Sequence, residues 1–485
     1  MLIPQLRKAG CVTCKQKKPY MRIKHNELEI PEDDPFKHCA LKRRKYSEIL
    51  TSLIKGHPEG FVLAINNKWG TGKTTFLSMW KQSLQNSGFK TVYFNAWEND
   101  YEDNPLTALI GELQIININS EKSFTNVVKN AALLSKNIAP VLIKSLLRKY
   151  LGDHIISELA AESAKSVSEI FEEDVKEYSK RKKTIKDFKR SLSEFVATES
   201  NENPLIFIID EIDRCRPNYS VLLLEQIKHF FNVPNIVFVL SIDKSQLCNA
   251  ICGVYGSEKI DSNEYLKRFI DIEFSIPDPE PELFFDYLYS HYDFKSFFNS
   301  SSRISRRDFN YDESNFIFAG KSLIGKLSLR QQEKILAHIR IALSCFSNNQ
   351  YLIPTIFVFL TFIKITHPSF YFNLKNNTLS LIDVQKEYYS LIEANISEDT
   401  KSLFTQIEAF LLKFYENQKY KFKKDSHLVR KNNNTNQWEL KLDSLIDNNF
   451  LLRNLTSEKM EYEYSDITLL YFIAKLELLE NFETR

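Results

Sequence analysis

The sequence predicts an α/β fold: a doubly wound, mostly parallel sheet with a helical insertion, followed by a mainly α-helical C-terminal domain. Three observations carry that prediction. Five short apolar runs have strand character, Phe61–Asn66, Thr91–Phe94, Leu205–Asp210, Ile236–Ile242 and Ile270–Ile276, and helical patterns lie between them, which is the rhythm of a parallel sheet covered on both faces. Most of these runs are almost continuously hydrophobic, as strands buried on both sides must be. The chain also holds only 12 Gly beside 36 Phe and 22 Tyr, which argues against a fold built from tight turns and favours helices.

In chain order, residues 1–33 form an N-terminal extension, and the α/β unit is expected over residues 34–281. Its first strand leads into the helical pattern Thr74–Gln85, and the third into Tyr219–Phe231. One insertion, residues 101–203, breaks the alternation. It reads as a helix over Leu106–Ile116 and a charged helical stretch over Val167–Val196 that contains Lys180-Arg181-Lys182-Lys183. That basic run reads first as a solvated helix face, with a nucleic-acid or partner contact as the alternative. The cluster Pro277-Asp278-Pro279-Glu280-Pro281 marks a boundary, and residues 282–485 are helical apart from an expected β-hairpin over 419–442. There, Lys419–Lys424 and Trp438–Leu442 flank the polar turn Asn432–Asn436. The interleaved bases and aromatics of Lys419–Lys424 suit either an amphipathic hairpin or a nucleic-acid-facing strand.

At 485 residues the chain exceeds one compact core, and two or three domains are expected. A net charge of +2 announces neither nucleic acid nor membrane, so such a partner would have to be met by a local patch. Seven scattered cysteines and a charged start without an apolar segment point to a reduced, cytoplasmic setting. Tyr351–Ile363 is uncharged but holds Pro354 and falls short of the roughly 20 residues that span a bilayer. Ala131–Leu147 is interrupted by Lys136, Pro140 and Lys144. Both read as buried helices, and no membrane insertion is expected. Cys11-x-x-Cys14 with His38 and Cys39 suggests zinc, but a second pair at ligand spacing is missing. The residues similar to a known family begin only after Met21, a second candidate start.

The strongest chemical signal is Asn67-Lys68-Trp69-Gly70-Thr71-Gly72-Lys73-Thr74-Thr75, at the junction of a strand and a helix. Gly70 and Gly72 let the backbone curl so that consecutive N–H groups point at phosphate oxygens, and the helix start adds its dipole. Lys73 is expected to bridge the β- and γ-phosphates of ATP, and Thr74 to ligate Mg²⁺. Asn67 stands where the loop's first glycine is usual. Asparagine tolerates left-handed backbone angles better than other non-glycine residues, so the loop is expected to close. The second signal is the apolar strand Leu205–Ile209 ending in Asp210-Glu211. Asp210 is placed to hold Mg²⁺ through water, and Glu211 to orient and polarise the attacking water. The next strand ends in Ser241 and Asp243, where strand ends line a ligand crevice. They read as γ-phosphate sensors, or Asp243 as a helix cap.

With these residues laid out, the chain resembles the KAP family of P-loop NTPases. The resemblance rests on Trp69-Gly70-Thr71-Gly72-Lys73-Thr74, Phe94-Asn95-Ala96-Trp97-Glu98, Asp210-Glu211-Ile212-Asp213-Arg214-Cys215, and Tyr265-Leu266 ahead of Phe274-Ser275-Ile276-Pro277. Asp34-Pro35-Phe36 and Leu41-Lys42-Arg43-Arg44 look like the family's opening segment. The resemblance implies a P-loop NTPase sheet of the additional-strand, catalytic-glutamate type, with another strand between the two that carry the phosphate loop and the carboxylates. It draws Glu98 into the site, gives Asp213 and Arg214 a network around Glu211 or a contact with a neighbouring subunit, and makes Arg268 a phosphate-facing arginine, with a surface salt bridge as the plain alternative. Many members carry membrane helices between the two motifs. The polar insertion here resembles a soluble branch.

Bacterial members are similar to phage-exclusion and mobile-element defence ATPases. The expected function is therefore Mg-dependent ATP hydrolysis driving a switch in antiphage defence, with a partner effector protein and a homo-oligomer in view. A nucleic-acid-stimulated ATPase in DNA processing and a slowly hydrolysing, nucleotide-bound scaffold are the alternatives. No nuclease, deaminase or protease constellation is evident in the C-terminal half, where His338, His367 and His427 lack spaced partners.

Overall fold

The computed structural model describes residues 29–101, 104–116, 121–135, 170–199, 203–256, 259–347, 350–421, 426–433 and 435–478. Cys11, Cys14 and Met21 lie outside the described residues, as do most of Ala131–Leu147 and residues 422–424 of the basic tract.

The α/β unit opens with α1 (Arg44–Gly56), β1 (Val62–Asn66), α2 (Lys73–Asn86) and β2 (Thr91–Asn95). The insertion contributes α3 (Pro105–Leu113), α4 (Glu121–Ser135) and α5 (Ile170–Glu199). Next come β3 (Leu205–Asp210), α6 (Pro217–Phe230), β4 (Ile236–Ile242), α7 (Lys244–Tyr255), α8 (Ser262–Leu266) and β5 (Ile272–Phe274). The five strands form one sheet in the order β2-β3-β4-β1-β5, and every pairing is parallel. β4 thus separates β1 from β3, as expected for the additional-strand type.

The unbroken hydrophobicity of the central strands has a direct cause. All residues of β3 and β4 are buried, and alternate side chains enter two different cores. Ile206, Ile208, Val237 and Val239 pack with Leu50 and Ile54 of α1 and with Phe76 and Trp80 of α2. Phe207, Ile209, Phe238 and Leu240 pack on the opposite face with α3, α6 and the insertion, where Phe124 meets Phe195 at 5.4 Å. The insertion therefore covers one face of the sheet, and α1 and α2 lie on the other.

β5 is shorter than the predicted Ile270–Ile276. The N–H groups of Phe269 and Ile270 are taken by Leu266 O at the end of α8, so pairing with β1 starts only afterwards. Ile276 is joined instead to the side chain of Asn67, just past the end of β1.

Beyond β5 the chain is helical around a third core that runs from Phe285 to Leu476. α9 (Pro281–His291), α10 (Asp312–Ile324), α11 (Leu329–Ala342) and α12 (Pro354–Thr366) build its first half. α12 is the uncharged run read from sequence, and it is buried on nearly every side. No helix among the described residues is long and apolar enough to cross a membrane. Gly320 brings α10 against α9: a Cβ there would stand 2.3 Å from the Phe285 ring.

The hairpin differs from expectation. Lys419 and Tyr420 end the helix Lys401–Tyr420, and the strands are β6 (Val429–Lys431) and β7 (Trp438–Leu440). Helical propensity and burial of Phe414 and Tyr415 carry the helix through the start of the basic tract.

Candidate nucleotide-binding site

After β1 the backbone turns over Gly70 and Gly72, both at φ 79°, and enters α2 directly from Gly72. Left-handed angles at two positions in a three-residue stretch are sterically open to glycine. The consecutive N–H groups from Gly70 to Thr75 find no acceptor among the described residues. They form a cradle of donors at a helix start, which is what a polyphosphate requires. Lys73 is buried, and its ammonium is held by Asn67 O at 2.5 Å and Lys68 O at 3.3 Å. Burial lowers its pKa, opposed first by the charge of Asp213 and then by Asp243 and Asp210. The Thr74 hydroxyl lines the same cavity and has no partner among the described residues.

Asn67 closes the loop by a different device from the one expected. It is not among the residues with positive φ. Its amide donates to Ile276 O at 2.7 Å and accepts from Ile276 N at 2.9 Å. The side chain acts as a backbone-like pair that ties the start of the loop to the chain leaving β5.

β3 and β2 run in register with Asn95 opposite Asp210, so both strand ends reach the cavity edge together. Asp210 accepts from Tyr93 OH at 2.9 Å and from the N–H of Glu211 at 2.9 Å. Glu211 sits at φ 63° and has both oxygens engaged: Oε1 with Arg214 Nη1 at 2.6 Å, and Oε2 with Asn95 Nδ2 at 3.4 Å. Burial raises the Glu211 carboxyl above the usual range, and Arg214 is the main influence pulling it down. Arg214 in turn lies 5.6 Å from the ring centre of the exposed Trp97.

A second network fixes the loop to both central strands. Asp213 Oδ2 accepts from Trp69 Nε1 at 2.5 Å and from Asp243 N at 3.0 Å, while Asp243 Oδ2 accepts from Trp69 N at 3.2 Å. Burial pushes Asp213 up, and the Trp69 hydrogen bond is the first influence against it.

These groups share one cavity of about 430 Å³. Lys73, Thr74, Thr75, Asp210, Glu211, Asp213 and Arg214 line one part. His38–Leu41 and Arg43 of the N-terminal segment, Met79 of α2, Phe284 and Tyr287 of α9, and Leu329, Arg330 and Glu333 of α11 line the rest. Phe284 and Tyr287 stack at 5.8 Å, and a Cβ on Gly70 would lie 3.2 Å from Arg330 Cβ. The helical C-terminal part therefore roofs the phosphate loop directly.

The profile of the KAP family P-loop domain matches residues 43–344. This chain belongs to the KAP family. No curated protein matches the KAP chain as a relative. A solved structure described as the Aeropyrum pernix ORC2 protein in ADPNP–ADP complexes is similar at 14% identity, covering 86% of this chain and 95% of that chain, with a TM-score of 0.29. At that score the likeness carries no weight for fold or function. The family match runs past the proline cluster and includes α9 and α11, the helices that supply the roof.

Several expected site residues of this KAP chain lie elsewhere. Arg268 is exposed and does not line the cavity. Glu98 is also exposed; it is Asn95 and Trp97 of that motif that reach Glu211 and Arg214. Ser241 is fully buried with an unpartnered hydroxyl and does not line the cavity, although it is on the same face of the sheet as Asp210. Asp243 makes no side-chain cap to α7 and instead brackets Trp69. His38 and Cys39 form part of the cavity wall. Lys182 and Lys183 are exposed, whereas Lys419 donates to the carbonyls of Asn377 and Leu379.

Sequence reading did not single out Tyr93, Arg330, Phe284 or Tyr287. The roof residues carry no local pattern that marks them.

Proposed function

We propose that this KAP chain binds and hydrolyses Mg-ATP and that nucleotide occupancy sets the position of its helical C-terminal part. The observation that carries the reading is the convergence, in one cavity, of the unpaired Gly70–Thr75 donors, Lys73, and the Asp210–Glu211 pair. The free hydroxyl of Thr74 and the buried carboxylate of Asp210 are hard oxygen donors suited to Mg²⁺. Magnesium, when bound, would neutralise charge on the phosphate oxygens.

In this reading Lys73 leaves the carbonyls of Asn67 and Lys68 for the β- and γ-phosphates, and the loop N–H groups hold their oxygens. Glu211, once free of Arg214 and Asn95, orients water and takes its proton. Arg330, which has no ion-pair partner among the described residues, faces the nucleotide from α11 and links phosphate charge to the roof. Such a device is a switch, and a partner effector would read the roof. A setting in antiphage or mobile-element defence rests on family membership alone, and phage plating on cells with wild-type or Lys73→Ala protein tests it.

One observation favours a slow-turnover scaffold as a second reading: both oxygens of Glu211 are tied down. The deciding experiment measures ATP turnover by the purified protein, with and without DNA or RNA, for wild type, Lys73→Ala and Glu211→Gln. Turnover lost in both variants, with ATP binding kept in Glu211→Gln, supports the ATPase. A wild type that binds ATP without turnover supports the scaffold.

A further inference from the structure

The wall opposite the carboxylates holds a charge that the loop and carboxylate motifs leave unexplained. Arg43, the residue before α1, is 3% exposed, yet the one hydrogen bond of its guanidinium among the described residues runs from Nη1 to Gly72 O at 3.2 Å. Its Nε is buried with no partner, and no acid among the described residues lies within ion-pair distance. Burial is the leading influence on Arg43 and lowers its pKa, opposed first by Cys39 and then by the more distant charge of Asp278. A guanidinium offers five donors in a fixed fork and stays charged in proteins. Taking one out of water without an anion is costly, and that cost is recovered when an anion arrives.

Two further facts locate the anion. Arg43 contacts Gly72, the residue from which α2 starts, and lines the cavity beside Thr75 and Met79 of that helix. In a phosphate loop the lysine, here Lys73, reaches the β/γ end, while the backbone N–H groups of the glycine-rich loop cradle the α/β end. Around Arg43 the wall is formed by His38 to Leu41 with Leu329; the carboxylate of Glu333, which lines the cavity from the same helix as Leu329, forms no ion pair with Arg43.

Resting on the nucleotide-binding reading above, we infer that Arg43 is a ligand of the α-phosphate, so that a nucleoside diphosphate or triphosphate ties the N-terminal segment to the start of α2. Arg43 therefore recognises ADP and ATP alike, in contrast to a group that reads only the terminal phosphate. The same contact means that the segment carrying His38–Arg43 is held more firmly in the nucleotide-bound protein.

The test uses the full chain and isothermal titration with MgATP, MgADP and inorganic tripolyphosphate on wild type, Arg43→Met and Arg43→Lys, with a thermal melt of each nucleotide-free protein. Arg43→Met is expected to weaken ADP and ATP by the same factor, about tenfold to a hundredfold, as for lost hydrogen bonds to a charged group. Arg43→Lys is expected to fall between it and wild type. The nucleotide-free melt of Arg43→Met should be unchanged or higher, because an uncompensated buried charge has gone.

A structural brace predicts the reverse: a lower melt and unchanged affinity of the folded protein. Unchanged ADP affinity in Arg43→Met overturns the inference, and so does a loss confined to ATP. If Arg43→Met does not fold, ADP affinity in Arg43→Lys decides in the same way. Wild type that binds none of the three probes defeats the nucleotide-binding reading itself, which is a different result.

Discussion

At the carboxylate end of the cavity, Asp210, Glu211 and Asp213 each accept hydrogen bonds from named donors, and Trp69 locks the loop to the strands behind it. At the opposite end Arg43 and Arg330 face the same cavity with no acid at ion-pair distance among the described residues. One end is pre-organised by the protein's own contacts, and the other is short of anions. Preorganised dipoles suit chemistry, because they cost no rearrangement when charge develops. Unpaired cations suit recognition, because the ligand supplies the missing partner. The contrast separates residues whose loss should strike turnover from those whose loss should strike affinity.

The largest effect should come from Glu211→Gln. Removal of a general base typically costs about 10²–10⁴-fold in rate, so ATP turnover in single-turnover assays should fall by that order while ATP affinity is kept. Equal losses of rate and affinity would break the division between the two ends. Next, Lys73→Ala removes the charged donor at the centre of the cradle and should weaken MgATP about tenfold to a hundredfold in titration calorimetry. Arg330→Ala should weaken ATP by a smaller factor and leave ADP nearly unchanged, in contrast with the Arg43 variants.

A stability effect of about 1–3 kcal/mol is expected for Asn67→Ala in denaturant unfolding, because two hydrogen bonds to Ile276 are lost together. The mildest change is a shift in pH dependence. Glu211 must be ionised to act as a base, and burial raises its pKa, so turnover should be lost as pH falls through a value above the ordinary carboxylate range. Arg214 pulls that pKa down. Arg214→Met should therefore move the acid limb of the pH–rate profile to higher pH. A limb that stays in place would show that Glu211 is not the group that titrates.

Much of the α/β unit was legible because its signals are short-range. Gly70 and Gly72 are needed for two left-handed angles, and the continuous apolar runs at β3 and β4 are needed for burial on both faces. The Asp210–Glu211 pair ends a strand that can only point at the crevice. Legibility failed where a residue's role depends on direction or on distant chain. Ser241 shares the sheet face of Asp210, yet it is fully buried and does not line the cavity. Asn67 was read through its backbone, whereas its amide makes the contact. Arg268 sits at a suggestive position in sequence, yet it is exposed and does not line the cavity.

By itself, then, the sequence determined the parallel sheet, the glycine turn ahead of α2, the strand ending in Asp210 and the helical character of the C-terminal half, because backbone angles and hydrophobic periodicity are properties of adjacent residues. Only the tertiary structure decided that Asn95 joins Arg214 in holding Glu211, that α9 and α11 roof the loop, and that Arg43 is buried beside Gly72 without an acid at ion-pair distance among the described residues. Those roles arise from packing between elements far apart in the chain, where neither period nor spacing records which side chains will meet.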